Sequence, residues 1–220
     1  MVAKRRVFIV EDHPVTRQGL AILIDREEDL WVCGQAASAP QALAEIAAGQ
    51  PEVVVMDIAL PGRDGIECLK DIAVRHPQLP ALVFSTMDEI IYAKRALQAG
   101  ARGYVHKSEP VEHILQAIRC VLDGEVYLSP AMQSQLLRNG LDFGGPKSAL
   151  GVDLLSNREL EIFRMIGEGS GTRQIAQNLN LSISTVETHR THIKDKLGVA
   201  RAPDLVRQAV IWLNQKNFDR

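Results

Sequence analysis

Between residue 6 and about residue 124, short and almost unbroken apolar runs alternate with stretches in which apolar residues return every third or fourth position. The runs 6–11, 31–36, 52–57, 80–85 and 102–106 predict strands, and 14–25, 39–48, 65–75, 89–99 and 110–122 predict helices. Strands without polar alternation are buried on both faces, which is the condition of a parallel sheet covered by crossover helices. Pro14 in a first turn, Ser38 ahead of Pro40, and the run Ser108-Glu109-Pro110 mark helix starts. Five such β/α units predict an α/β, flavodoxin-like doubly wound parallel sheet over residues 4–124.

Residues 125–152 break this alternation. Gly124, Ser129-Pro130, Gly140, Gly144-Gly145-Pro146, Ser148 and Gly151 leave room for one short helix near 131–138, and the segment reads as a linker, flexible in its second half. From 153 to 216 the pattern is helical throughout. Leu155-Ser156-Asn157-Arg158-Glu159-Leu160 forms a capping box, with Ser156 as cap, Glu159 three residues on, and Leu155 placed to staple against Leu160. It opens a helix over about 157–168 with Leu160, Phe163 and Ile166 inward, closed by Gly169-Ser170-Gly171. Thr172 is the expected cap of a second helix ending at Leu179. The turn Asn180-Leu181-Ser182-Ile183 leads to a third helix, about 183–197, that buries Val186, Ile193 and Leu197 and stops at a Schellman-type Gly198-Val199. A fourth helix, 203–213, opens with Pro203 and turns Leu205, Val206, Ala209 and Trp212 inward. Two short helices and a longer third joined by a tight turn make a helix-turn-helix, here in a small all-α domain of four helices.

Composition narrows the class. Of 220 residues, 46% are hydrophobic and 24% charged, as in an ordinary globular protein. No run approaches the roughly 18 apolar residues of a membrane helix, and the N-terminus leads into a strand rather than a signal peptide, so no membrane association is expected. Cys33, Cys68 and Cys120 are odd in number, far apart and set in apolar patterns, which predicts reduced thiols rather than disulfides or zinc ligands. A cytoplasmic protein is expected. The net charge of −2 is uneven: residues 1–124 hold 13 Lys and Arg against 17 Asp and Glu, whereas 153–220 hold 10 against 8. The change of sign implies different partners for the two ends, although so small a basic excess does not by itself argue for nucleic acid.

The acids of the first domain fall where chemistry is expected. Asp57 ends the run Val53-Val54-Val55-Met56, and Glu11-Asp12 ends Val7-Phe8-Ile9-Val10. Open α/β sheets bind ligands beyond the carboxyl ends of their strands. Three carboxylates gathered there repel one another unless a hard cation lies between them. The pattern predicts a Mg²⁺ site built around one reactive aspartate, Asp57.

Glu11-Asp12, Asp57 with Pro61-Gly62 and Asp64-Gly65 behind it, Phe84-Ser85, and Gly103-Tyr104-Val105-His106-Lys107 together resemble the signature of a response-regulator receiver domain over about residues 4–124. The resemblance implies that Asp57 is a nucleophile taking a phosphoryl group from the phosphohistidine of a sensor histidine kinase. It implies that Asp12, Asp57 and the backbone carbonyl of Ala59 bind Mg²⁺, with Glu11 reaching the metal directly or through water. Lys107 would place its ammonium on phosphoryl oxygens, Ser85 would give its hydroxyl to the new phosphate, and Tyr104 would turn inward behind it. Ala59 and Met87, two residues beyond Asp57 and Ser85, are apolar at positions that flank the phosphoryl group in receivers, which implies slow spontaneous dephosphorylation. His13 and His106 are given no role, because an oxygen-rich site suits Mg²⁺ rather than zinc. Asp64-Gly65 is read as a turn.

In the second domain, the run Leu155 to Glu161, then Ile175-Ala176, Ser184-Thr185-Val186-Glu187-Thr188-His189 and Lys196-Leu197-Gly198-Val199, resembles the LuxR-type helix-turn-helix. Behind a receiver, this is the arrangement of the NarL/FixJ response regulators, and the resemblance then spans nearly the whole chain. The outward face of the third helix is expected to present Glu187, Thr188, Arg190, Thr191 and Lys194. Glu187, Thr188 and Thr191 are expected at base edges, where the carboxylate can accept from cytosine N4 and the threonine methyls can meet thymine. Arg173, Arg190 and Lys194, with the hydroxyls of Ser170 and Thr172, are expected at phosphates. His189 and His192 either touch phosphate or pack beside the second helix.

The expected protein is therefore a phosphorylation-switched regulator of transcription, bound to duplex DNA and paired as a homodimer when phosphorylated. Ile90, Ile91 and Tyr92 are either a contact surface or core. Two alternatives stand beside this reading. A receiver can also control an RNA- or protein-binding output, against which the capping box, the four-residue turn and the long third helix favour DNA. A Mg²⁺-dependent phosphatase of the haloacid-dehalogenase type carries a second acid two residues after its nucleophile, where this chain has Ala59, and no cap domain is present. An enzyme turning over a free substrate is not expected.

Overall fold

A computed structural model describes the backbone of residues 3–60, 64–138 and 151–218, and their side chains except those of 135–138 and 215–218. Two compact units, Met1–Phe143 and Gly144–Arg220, divide the chain. In the first, β1 (Arg5–Val10), β2 (Leu30–Ala36), β3 (Val53–Met56), β4 (Ala81–Ser85) and β5 (Ala101–His106) pair in parallel in the order β2-β1-β3-β4-β5. They alternate with α1 (Pro14–Asp25), α2 (Ala39–Gly49), α3 (Gly65–Arg75), α4 (Glu89–Gln98) and α5 (Val111–Leu122). Each element lies where the apolar pattern puts it, with ends displaced by one residue at most.

The unbroken apolar runs have the cause the pattern implied. Val7, Ile9, Val53 and Val55 join one core with Leu20, Ala21 and Ile24 of α1 and with Ile114, Ala117, Ile118 and Val121 of α5. Strand alternation sends Phe8, Val10, Val54 and Met56 to the opposite face, where they are equally buried. Each such side chain contributes about 1.5–3 kcal/mol of burial, so both faces of the sheet drive folding. The strand order reverses at β1 and β3, the place where an open sheet leaves a crevice. One residue past each strand, the ladder still holds: Glu11 N donates to the Ala36 carbonyl at 3.0 Å, and Asp57 N donates to the Val10 carbonyl at 2.9 Å. Two acids are thereby fixed side by side at the crevice.

Past α5 the chain stays on the sheet. Tyr127 N donates to the Arg102 carbonyl at 3.0 Å, and Tyr104 N donates to the Tyr127 carbonyl at 2.9 Å. Gly103 makes this approach possible, since a Cβ there would lie 2.9 Å from the Tyr127 carbonyl oxygen. Helix α6 (Pro130–Arg138) follows, with Leu128 and Met132 buried. The glycine-rich half of the expected linker, residues 139–150, lies outside the described residues, as does Pro61-Gly62.

The second unit has a 3₁₀ turn (Val152–Leu154) and then α7 (Asn157–Gly167), α8 (Thr172–Asn178), α9 (Ile183–Leu197) and α10 (Ala202–Phe218). The capping box is complete: Glu159 N donates to Ser156 Oγ at 3.3 Å, and Ser156 N donates to Glu159 Oε2 at 2.7 Å. The Schellman stop is present too, with Val199 N donating to the Lys194 carbonyl and Gly198 N to that of Asp195. Leu160, Phe163, Ile166, Ile175, Val186, Ile193, Leu205, Ala209 and Trp212 are buried, and the Phe163 and Trp212 rings lie 5.7 Å apart. Three local expectations are corrected. Gly171, not Thr172, occupies the cap position of α8, and its amide is taken by the Gln174 side chain at 3.3 Å. Leu197 is half-buried. Val206 is 39% exposed, because the inward row of α10 runs through 205, 209 and 212 and 100° per residue leaves 206 beside it.

Among the described residues, no helix is long and apolar enough to cross a membrane. No disulfide joins the three cysteines; Cys68 is buried and Cys33 and Cys120 are half-buried.

Candidate functional site: a carboxylate cluster and a helix-turn-helix

Asp57 is 2% exposed and Glu11 1%, an expensive place for two carboxylates unless donors meet them. The donors come from three separate strand ends. Ser85 Oγ, at the end of β4, donates to Asp57 Oδ1 at 2.6 Å, and the Ala59 amide donates to the same oxygen at 2.8 Å. Lys107 Nζ, one residue past β5, lies 2.5 Å from Asp57 Oδ2 and 2.6 Å from Glu11 Oε2. Burial alone would lower the Lys107 pKa, but the Asp57 and Glu11 carboxylates outweigh it and hold the ammonium above its ordinary value. Tyr104 is fully buried, and its hydroxyl donates to the Met87 carbonyl at 2.7 Å. Burial first, and then the Asp57 charge, push its phenol well above the usual tyrosine range, so it stays a neutral donor.

Among the described residues, Glu11, Asp12 and Asp57 face one ammonium, that of Lys107. His13 is exposed and leans over the pair, its Nδ1 3.2 Å from Glu11 Oε1 and 3.0 Å from Asp12 Oδ1. The latter contact lacks hydrogen-bond geometry, leaving Asp12 Oδ1 buried with no donor among the described residues. An orphaned carboxylate oxygen beside two further carboxylates is an all-oxygen set of the kind a hard divalent cation takes. The residues present therefore fit Mg²⁺.

Supporting contacts appear that the sequence did not single out. Arg17 donates from Nη1 to the Glu11 carbonyl at 2.6 Å and so steadies the β1–α1 loop. His106 spans the Thr86 carbonyl (Nε2, 3.0 Å) and Ser108 Oγ (Nδ1, 2.6 Å), joining the loops after β4 and β5. Asp64-Gly65 is more than a turn. Asp64 caps α3 by accepting from Ile66 N at 2.9 Å, and a Cβ at Gly65 would lie 2.4 Å from Ile58 Cα. The bare glycine is what lets α3 press against the backbone one residue from Asp57. On α4, Tyr92 belongs to the core, while Ile90 and Ile91 are half-buried.

In the second unit, Glu187, Thr188 and Thr191 are exposed on α9, and Arg173 is exposed on α8. Thr188 Oγ1 donates back to the Ser184 carbonyl at 3.0 Å and Thr191 Oγ1 to that of Glu187 at 3.1 Å, which leaves methyls and lone pairs for a partner. Ser170 and Thr172 are half-buried near the start of α8. Arg190 and Lys194 are also half-buried, because at 100° per residue they stand on the flank of the Val186–Ile193 row rather than opposite it. His189 and His192 come near Glu159 of α7. His192 Nδ1 lies 4.0 Å from Glu159 Oε1, and burial, then Arg158, lowers the His189 pKa. Glu159, His189 and His192 come within metal-ligand reach of one another, but Lys196 Nζ already neutralises Glu159 from 2.6 Å. A second cation there would meet an ammonium, and of the two imidazoles His192 is exposed while His189 Nδ1 is buried without a hydrogen-bond partner among the described residues.

The chain matches the family model for the response regulator receiver domain over residues 7–119 and that for bacterial regulatory proteins of the luxR family over residues 153–209. Over 209 residues it is 33% identical to the oxygen regulatory protein NreC of Staphylococcus carnosus (strain TM300), covering 93% of this chain and 96% of that one. NreC of Staphylococcus aureus (strain JH9) is 34% identical over the same shares. Among solved structures, a LuxR-family two-component response regulator from Aurantimonas sp. SI85-9A1 is 34% identical with a TM-score of 0.59, over 62% of this chain and 97% of that one. RcsB of Salmonella enterica serovar Typhimurium, bound to promoter rprA in the presence of phosphomimetic BeF3−, is 25% identical with a TM-score of 0.59, over 93% and 97%. A receiver-type carboxylate cluster ahead of a LuxR-type helix-turn-helix, in one chain that matches such a regulator over 93% of its length, places this protein in the NarL/FixJ family of two-component response regulators.

Proposed function

We propose that Asp57 accepts a phosphoryl group from a sensor histidine kinase and that the modified protein pairs as a homodimer on duplex DNA in the cytoplasm to control transcription. The observation that carries this reading is the convergence on Asp57 of Ser85, the Ala59 amide and Lys107 from three strand ends. Phosphoryl transfer asks little covalent work of a protein beyond positioning and charge. Asp57 is held with both oxygens oriented. Lys107 stands ready to follow the charge from the carboxylate to phosphoryl oxygens, and Ser85 donates toward the same place. Glu11, Asp12, Asp57 and the Ala59 carbonyl would hold Mg²⁺, which when bound supplies positive charge against the transferring phosphoryl. With Ala59 at the second position after Asp57, no second acid is placed to activate water, so the protein acts as a phosphoacceptor rather than as a phosphatase with turnover.

On DNA, Glu187, Thr188 and Thr191 read base edges while Arg173, Arg190 and Lys194, with Ser170 and Thr172, hold phosphates. A domain of such small basic excess gains affinity by pairing on two half-sites. The test treats the full chain with Mg²⁺ and acetyl phosphate, selects bound duplexes from a random pool, and runs Asp57→Asn beside it. Enrichment of a two-fold symmetric sequence by the treated wild type and not by the variant is expected. Equal enrichment by both, or RNA competing as well as duplex DNA, overturns the reading.

A further inference from the structure

The segment that follows the receiver's last helix is tied to the loop that would sense Asp57. Ser129 N donates to Glu89 Oε1 at 3.0 Å and Ser129 Oγ donates to Glu89 Oε2, while the same Oγ accepts from Met132 N at 3.2 Å in the first turn of α6. One hydroxyl thus both caps α6 and grips the first residue of α4. Glu89 is four residues from Ser85, and the residues between are bonded to the site. Met87 N donates to Ser85 Oγ at 3.3 Å, and the Met87 carbonyl accepts from Tyr104 OH. Tyr104 N in turn donates to the Tyr127 carbonyl, two residues before Ser129. The start of the linker is therefore bonded directly to Tyr104 and, through Glu89, to the loop whose Met87 amide donates to Ser85.

We propose that the Glu89–Ser129 contact is a latch that holds residues 127–134 and α6 on the receiver while Asp57 is unmodified, and that modification of Asp57 opens it. The inference rests on Asp57 being the phosphoacceptor. A move of Ser85 Oγ from Asp57 to a phosphoryl oxygen would draw on the Met87 amide that donates to it at 3.3 Å. Asp88 caps α4 by accepting from Ile90 N at 2.9 Å, so a shift of Met87 moves the first turn of α4 and its Glu89 carboxylate as one piece. The latch is poised rather than permanent. Burial disfavours the charged Glu89, the Ser129 donors oppose that, and the neighbouring charges of Glu109 and Asp88 add repulsion. Losing two donors makes the buried carboxylate unstable where it is, which favours a two-state release over a gradual one. From α6 the chain runs on to the helix-turn-helix, so release changes the tether on which the DNA-binding unit hangs.

Coupling between two binding events is reciprocal, so what modification opens must, when opened by mutation, favour the modified state. The test uses the full chain with Mg²⁺ and beryllofluoride as phosphoryl mimic, and follows amide hydrogen exchange and beryllofluoride affinity. In wild type, exchange across 127–134 is expected to rise when beryllofluoride binds. Ser129→Ala should exchange at the raised level without it, and should bind beryllofluoride about 5-fold tighter or more. Ser129→Thr keeps the hydroxyl and should behave as wild type, which separates the latch from a general loss of fold. Wild-type protection of the loops after β3 and β4 without any change at 127–134 overturns the latch alone, as does an Ala variant of unchanged affinity or a Thr variant that behaves like Ala. No beryllofluoride binding at Asp57 overturns the phosphoacceptor reading, and the latch with it.

Discussion

Each unit of this protein buries a carboxylate against a lysine, and the two pairs are completed differently. Asp57 is 2% exposed and Glu159 4%. Lys107 divides its ammonium between Asp57 and Glu11, and Asp12 adds an acid with an oxygen that has no donor among the described residues. Glu159 meets a single ammonium, Lys196 at 2.6 Å, and a backbone amide, Ser156 at 2.7 Å. The first group stands on loops past strand ends, and among the described residues its three acids meet one ammonium. The second stands between two helices and balances. A buried carboxylate beside a lysine is thus not itself a sign of function. The sign is an imbalance that the fold maintains at a place open to a ligand, because such a site gains stability when the missing charge arrives.

The largest effect that can break this contrast comes from Asp57→Asn. It should abolish uptake of a phosphoryl group from acetyl phosphate and Mg²⁺, read by intact-protein mass spectrometry, while leaving the receiver at least as stable as wild type without Mg²⁺. Removing one acid from a crowded group relieves repulsion. A clear fall in the thermal midpoint would instead make Asp57 half of a structural pair, and the contrast would vanish.

Glu159→Ala is its counterpart. It removes the reciprocal cap of α7 and the partner of Lys196 together. Breaking a buried pair costs about 3–5 kcal/mol and a cap about 1 kcal/mol, but Lys196 is 39% exposed and water screens much of the first figure. A loss of about 2–3 kcal/mol is expected from those values. Urea unfolding followed by Trp212, which packs on Phe163, reads it in a Trp31→Phe background. A loss below about 0.5 kcal/mol, the size of a neutral surface change, would show that the pair is not structural.

Next in size is Gly65→Ala. Its Cβ would meet the Ile58 backbone at 2.4 Å, and overpacking of this kind costs about 1–3 kcal/mol. Because the displaced segment carries Ala59, slower modification of Asp57 should accompany the lower stability. Unchanged modification kinetics would separate the α3 packing from the site.

These three positions also show what sequence can and cannot display. The strands are legible because a sheet covered on both faces forces unbroken apolar runs, and Asp57 and Glu11 are legible because each acid ends such a run. Gly65 reads as an ordinary turn, since its reason is the Ile58 backbone across the loop. The Glu89–Ser129 contact is invisible for the same reason, being a tertiary contact between polar residues 40 positions apart. On α9, placing Arg190 and Lys194 opposite the core overlooks the 100° step that sets them on its flank, and the same geometry brings His189 and His192 near Glu159 of α7.

A smaller effect tests that flank. Arg190→Ala should weaken DNA binding to all sequences alike and reduce the salt dependence by about one counterion, from fluorescence anisotropy at several salt concentrations. A changed sequence preference at unchanged salt slope would move Arg190 from phosphate to base recognition.

The smallest effect separates the units by pH. Glu159 has its pKa lowered: burial pushes it up, but Lys196 and the Ser156 amide prevail. Its stabilising contribution is therefore full above the ordinary value of 4.5 and is lost as pH falls below it toward the folded value. Glu89 runs the other way. Burial outweighs the Ser129 donors and raises its pKa, so the folded receiver binds that proton more tightly than the unfolded chain. Its contribution is full below 4.5 and is lost as pH rises above it toward the folded value. Acidifying from neutrality through 4.5 should first relieve the receiver of the Glu89 penalty and then weaken the helix-turn-helix. Glu89→Gln should flatten the first change and Glu159→Gln the second, measured by urea midpoints at each pH with Trp31 and Trp212 reporting separately. If Glu89→Gln leaves the receiver's pH profile unchanged, the buried carboxylate is not held between burial and Ser129, and the poise attributed to it is lost.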